Sequence, residues 1–422
     1  MKLILLNILI FSHLVFGQQD SAKNYRDNLG LNDLISSALR SNAKLEPIEY
    51  EKKILSARIG QVNKQPSPML QFMLDYLPVN FMNAGEYDVF YSQPLKLFGK
   101  LDAQEKLART NSLKPAIERK ELENEFIKSV KENYYMLSVN ERLLSFNDEF
   151  RQIINTITSS LEIRYSAGKG NQYEILKSNN EFQNLLLEEI ELSNNKIILI
   201  NNLRTLSNLE LPDSFKTKNL EILVNIPPPD FDTVKLTEDM ISNNTDFKYL
   251  DQMLQETRLE TSVTRLEKKP DLNLMTGYRY MSETGESFLA FSVTIDLPFV
   301  PWNEKRIDAE IKEKIINEKK INSEALSLEV NLRNELKNII VKINSSLEKI
   351  KYISSILIPQ TEQTFRSSLI SYETASVQFM DLLDTYRSLR ENNRMLVEEE
   401  TNYLISVSEL EKLIGKQILT IN

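Results

Sequence analysis

No cysteine occurs among the 422 residues of the chain. Disulfides, thiolate metal sites, cysteine nucleophiles and lipid attachment through a cysteine are excluded at once. There is one histidine, His13, and it lies in the opening stretch "MKLILLNILIFSHLVFG". One early lysine, a short apolar run and small residues near Gly17 make 1–17 a secretory signal peptide; as an anchor helix the run is short. The chain left after cleavage has no histidine either. That removes Ser-His-Asp triads, histidine acid–base chemistry and imidazole metal ligands. Beyond residue 17 no apolar run reaches the roughly 20 residues of a membrane-spanning helix. A net charge of −9 argues against nucleic acid as a partner. No nucleophile or acid–base constellation stands out, so no enzyme, no cofactor and no bound metal are expected.

Glycine is also scarce, ten in all. Leu, Ile, Glu, Lys and Asn dominate, as in long helices. The spacing predicts a helix over 31–64, begun by Asn32 or Asp33 and stopped by "QPSP" at 65–68. Over 100–164 the only proline is Pro115. Apolar residues fall at Leu143, Phe146, Phe150, Ile153 and Ile157, intervals of 3, 4, 3 and 4. A single helix of that length would run to roughly 100 Å. "SAGKG" interrupts it, and 171–207 resumes. The later part repeats the scheme: helix over 303–371 with a kink expected at Pro359, an interruption at "SYETASVQ", and helix again over 379–415. Along that last segment every third or fourth position from 379 to 414 is apolar except Asn393 and Glu400.

The segments ahead of the long helices read differently. "PMLQFMLDY" (68–76) and "YDVFYSQPL" (87–95) form one pair; 271–281 and 287–297 form another. In the last, Leu289, Phe291, Val293, Ile295 and Leu297 alternate with Ser292, Thr294 and Asp296. Period two over about ten residues is the pattern of a transmembrane β-strand, and Tyr76, Tyr87, Tyr278 and Tyr280 suit an interfacial aromatic girdle. A soluble hairpin with one buried face fits the same alternation, and the strands alone leave both readings open. Methionines 69, 73, 82, 275 and 281 cluster around these strands; thioethers bind Cu(I), but packing or lipid-facing methionine is the plainer reading.

Helix, strand, strand and long interrupted helix thus occur twice, with a proline-rich connector at 224–233. The repeats are 18–225 and 226–422. "RYSAGKGNQYEIL" (164–176) matches "SYETASVQFMDLL" (371–383) at an offset of 207, pairing Tyr165 with Tyr372 and Glu174 with Asp381. Four strands are too few to close a membrane barrel, for which about eight are needed. If they lie in a membrane, several chains must share one barrel, and the helices leaving it pack as a second, helical barrel. Pro94 and Pro298 suit the change from strand to helix. An exported, helix-rich, acidic chain suggests the periplasm or outer membrane of a Gram-negative cell.

The layout and the tip motifs "YSAGKGNQYEIL" and "YETASVQFMDLLDTYRS" resemble the TolC-type outer-membrane efflux family over about 30–415. Residues 69–108 and 268–311 are similar to its heavy-metal branch. The resemblance implies an α+β membrane protein: long α-helices forming an α-barrel, and four transmembrane β-strands per chain in a shared trimeric β-barrel. It implies a homotrimer in outer-membrane lipid, working with a periplasmic adaptor and an inner-membrane pump as a passive conduit for metal ions or small toxic compounds. By position in the motif, Asp381, Asp384, Tyr372 and Arg164 would form the periplasmic aperture, and Tyr165, Gly168, Gly170 and Ala375 the helical tips that meet the adaptor. The family carries an arginine five residues after the second tyrosine. Here Val377 stands there, and Arg366 and Arg387 are the nearby substitutes. Ala375 in place of glycine predicts a second turn of different shape from the first. Other readings are the adaptor itself, disfavoured by two hairpins instead of one, and a purely structural coiled coil.

Overall fold

The computed structural model describes residues 29–77, 84–218, 231–374 and 376–418. Residues 1–17, expected to be a signal peptide, lie outside them, as do Met82, Ala375 and most of the proline connector. The described chain begins with α1 (Leu31–Ser41) and α2 (Glu46–Val62), then β1 (Met69–Asp75) and β2 (Glu86–Leu95). Next come α3 (Lys100–Asn111), α4 (Lys114–Ser166) and α5 (Gln172–Ser207). The second round is α6 (Thr233–Asn243), α7 (Thr245–Leu266), β3 (Leu272–Met281), β4 (Glu286–Ile295), α8 (Pro301–Tyr352), α9 (Ile358–Glu373) and α10 (Phe379–Ile414).

Three expected helices are divided, each for a local reason. The 31–64 segment breaks at Asn42, whose side chain leaves the helix pattern to accept the Lys44 N–H at 3.0 Å. Its start is capped from Gly30, whose N–H donates to Asp33 Oδ2 at 2.9 Å, so Asp33 acts from the third position and not as the cap itself. The 100–164 segment breaks at Ser112–Leu113. Pro115 has no N–H, and its ring would strike the carbonyl of Asn111, so the helix restarts just ahead of it. At 53 residues α4 is about 80 Å long, not 100 Å. Before Pro359 the chain takes a π-helical turn over Ile353–Leu357, which widens the backbone where the proline removes a donor.

The four strands form one antiparallel sheet in the order β1-β2-β3-β4. The two expected hairpins are therefore joined edge to edge: Tyr87 pairs Tyr280 and Leu95 pairs Leu272. The register places Phe72, Val89, Tyr278 and Leu289 in one row across the sheet. All four are exposed. So are Leu70, Leu74, Tyr91, Leu274, Phe291, Val293 and Ile295 on that same face. The opposite face carries the charged side chains of the strands, beside Phe90, Phe288 and several methionines. Arg279 forks onto Asp88 at 2.9 and 2.7 Å, and Ser92 donates to Asn273 at 2.9 Å. Gly277 lies there beneath Phe90: a Cβ would run into that ring and the Val89 carbonyl, so only glycine fits.

Two cores hold the helices. One joins α1, α4, α5, α6, α8 and α10 through Leu34, Tyr134, Leu203, Met240, Leu336 and Leu410. The other lies toward the tips and joins α4, α5, α9 and α10 through Phe150, Leu161, Leu185, Phe365 and Tyr386.

Candidate functional site

The ends of α4 and α9 reverse through turns of equal length. α4 ends at Ser166 and α5 begins at Gln172; α9 ends at Glu373 and α10 begins at Phe379. Gly168 takes the left-handed conformation at φ +72. Around it, Gly168 N–H bonds to the Tyr165 carbonyl at 2.9 Å and Lys169 N–H to the Arg164 carbonyl at 2.8 Å. This is the Schellman way of closing a helix. In the second tip Ser376 N–H reaches the Ser371 carbonyl at 2.8 Å, the counterpart of the Lys169 bond. The flanks of the two turns therefore close alike, while Ala375, on which the expected difference in shape rests, lies outside the described residues. Gly170 is held close to its own turn, since a Cβ would lie 3.1 Å from the Tyr165 nitrogen.

Tyr372 joins the tips. Its ring stands over Arg164, 4.5 Å from the guanidinium carbon, and meets Phe379 edge-on at 6.0 Å. Arg164 Nη1 donates to the Tyr372 carbonyl at 2.7 Å, and the Tyr372 hydroxyl donates to Glu174 Oε2 at 2.9 Å. Burial, reinforced by the Glu174 carboxylate, pushes the Tyr372 hydroxyl up to about 12. A turn further along, Arg387 pairs with the buried Glu181, linking α10 to α5.

No protein-family model matches the chain. It is 22% identical over 171 residues to the cobalt-zinc-cadmium resistance protein CzcC of Cupriavidus metallidurans (strain CH34). That match spans 40% of this chain and 39% of CzcC, about two-fifths of the curated relative's length. Solved structures match over much more. A structure of CusC, described for its transmembrane channel formation, superposes with a TM-score of 0.77 at 16% identity, over 93% of this chain and 96% of that one. The outer-membrane channel MtrE of Neisseria gonorrhoeae in its open state gives 0.75 at 16% identity, over 92% and 89%. The outer-membrane channel OprN gives 0.77 at 13%, over 91% and 89%. The chain has the fold of the TolC-type outer-membrane channels.

Within that channel fold the expected site residues divide. Arg164 and Tyr372 are brought together. Tyr165, Asp381 and Asp384 are exposed on the tips, and Ala375 lies outside the described residues. Asp381 acts locally, its Oδ2 accepting the Gln378 N–H at 3.2 Å at the start of α10, where a carboxylate also meets the positive end of the helix dipole. Within the chain Arg387 serves Glu181, and Arg366 is exposed with Glu362 4.0 Å away. Glu174 is the member sequence reasoning missed. The repeat match sets it opposite Asp381, which is the one signal that could have found it. Among the described residues no group of three or more His, Cys, Asp or Glu is placed to hold a metal.

Proposed function

We propose that the chain is the outer-membrane channel of a tripartite efflux system, a passive conduit through the periplasm. The observation that carries this reading is the outward apolar face running across all four strands. The sheet has two open edges, β1 and β4, and open edges are not tolerated in lipid. Several copies must therefore complete the barrel, and three give twelve strands. Ten-residue strands are about 33 Å long, which at a tilt near 40° covers the roughly 25 Å apolar band of an outer membrane. The working form is a homotrimer of duplicated chains, with repeats 18–225 and 226–422. A periplasmic adaptor binds the tips at Tyr165, Gly168, Gly170 and Ala375, and an inner-membrane pump drives export. The likeness to CzcC favours divalent metal ions as cargo over other small toxic compounds.

In this reading Asp381 and Asp384 ring the aperture, and Tyr372, Arg164 and Glu174 hold it narrow. Rings of carboxylates favour cations. The test is conductance of the purified full chain in planar bilayers. Asp381→Ala with Asp384→Ala lowers the cation-to-anion permeability ratio several-fold. An unchanged ratio rejects the aperture role, and absence of channel steps from the unaltered chain rejects the conduit.

A further inference from the structure

The duplication supplies a template for a contact that a single chain cannot make. α5 and α10 start and end 207 residues apart, at 172 and 379 and at 207 and 414. Their C-caps, Asn208 and Gly415, are both left-handed. Yet equivalent positions are covered on α10 and bare on α5. Leu383, Val397 and Leu404 are 1%, 0% and 1% exposed; their counterparts Leu176, Ile190 and Ile197 are 55%, 59% and 43% exposed. Tyr372 is 4% exposed and its counterpart Tyr165 is 49% exposed. Within the chain, α10 packs on α4 through Tyr386 and Phe150, 5.5 Å apart, while Tyr372 caps the first tip and donates to Glu174. Among the described residues, the second tip and α8–α9 have no such cover.

We infer that a second copy of this chain makes the missing contact, with Tyr165 of one protomer seated on the second tip of its neighbour and its hydroxyl donating to Asp381 there. This rests on the ring of copies proposed above and names the residues at its seam. The chemistry matches on both sides. Asp381 is the counterpart of Glu174, and its cap uses Oδ2, leaving Oδ1 for an incoming hydroxyl. α8 shows Val330, Val341 and Tyr352, eleven residues apart and all exposed. An eleven-residue period keeps one face of a nearly straight helix. Carried over from the Phe150–Tyr386 and Arg142–Glu400 register, Val341 and Tyr352 of that stripe stand level with Ile197 and Ile190 of the neighbour's α5, and Leu176 falls beside α9. The contact is head to tail, the kind that closes into rings. One element does not carry over: the counterpart of Arg164 is Ser371, so no cation lies under Tyr165. The seam between chains is therefore the looser of the two, and the tips part there first.

A cysteine-free chain makes the test direct. Tyr165→Cys and Ser371→Cys are placed together in the full chain, purified in detergent, sized, and treated with a short bifunctional methanethiosulfonate. The expected result is a ladder of covalent oligomers ending in a closed ring, with neither single variant giving the ring. Arg164→Cys with Tyr372→Cys, the same contact within one chain, gives a bridged monomer. An oligomer of intact size whose Tyr165→Cys/Ser371→Cys chains stay monomeric under denaturation overturns the seam and leaves the ring standing. A chain that already sizes as a monomer overturns the ring, and the seam with it. Tyr165→Phe, which keeps the ring and loses only the hydroxyl, lowers the temperature at which the oligomer dissociates in detergent; an unchanged temperature rejects the bond to Asp381.

Discussion

The Tyr372 hydroxyl donates to Glu174 across 198 positions of sequence, and its partner Arg164 lies 208 positions away. Neither link is legible locally. The motif places an aromatic at 372 and an arginine at 164, but only the folded chain brings them into contact. Glu174 is hidden for another reason: at the third position of α5 an acid is fully explained as a helix start. Tyr372→Phe removes one bond to a carboxylate, a loss of about 1.5 kcal/mol. In the aperture role proposed above, the expected outcome is a larger open conductance in planar bilayers with a slightly lower melting temperature. The pH dependence has a defined sign. The folded protein holds the Tyr372 proton more tightly than the unfolded chain, whose tyrosine titrates near 10. Its stabilisation is therefore complete below pH 10 and is lost as pH rises through about 12. The stability difference between the unaltered chain and the Phe variant shrinks over that window, as thermal melts at stepped pH will read.

At the scale of the element, α10 is the segment the sequence described best. Its apolar period from 379 to 414 becomes the buried stripe, with Leu382, Tyr386, Leu389, Leu396, Val407 and Leu410 all inside. The two interruptions are resolved differently. Asn393 turns back and donates to the Leu389 carbonyl at 2.9 Å, staying half-buried. Glu400 is almost fully buried, pairs with Arg142 of α4, and leaves its Oε1 without a partner. A polar group in an apolar seam sets register at a cost in stability. Burial raises the Glu400 pKa above its ordinary 4.5, and the pull of Arg142 does not cancel it. The raised value means that Glu400 contributes most below pH 4.5 and that this contribution is lost as pH climbs through the folded pKa. Glu400→Gln, a copy of the neutral acid, therefore matches the unaltered chain near pH 4 and melts at the same or a higher temperature at pH 7. Arg142→Ala does the opposite, stranding the carboxylate at a loss of about 3 kcal/mol. Melts of the two variants followed by circular dichroism separate register-setting from stabilisation. The breaks at Asn42, Pro115 and Pro359 were legible only in part. Proline marks the place, while whether the chain restarts or takes a π-turn depends on what packs beside it.

For the whole molecule, the pairing of β2 with β3 is the feature that no local pattern announces. Each hairpin follows from its own alternation, but their joining closes a loop of well over a hundred residues, which only tertiary packing decides. Once joined, the strands give a single outer face, and its role can be tested by charge placed on alternate residues of β4. Leu289 is 74% exposed in the middle of that face, and Ser292 lies on the opposite side three positions on. An arginine facing lipid at mid-depth costs about 2–4 kcal/mol, whereas one facing a water-filled lumen costs little. In a shared barrel the penalty is multiplied by the number of copies, so Leu289→Arg falls out of the outer-membrane fraction or assembles poorly. Ser292→Arg, with the same charge on the same strand, assembles normally and changes only conductance. Were the sheet a soluble hairpin layer, the order would reverse, because an arginine on an exposed face is harmless and one on the side carrying Asp88, Arg279 and Phe90 disturbs packing. Fractionation of cells expressing each variant therefore reads which face meets lipid without depending on the exported compound.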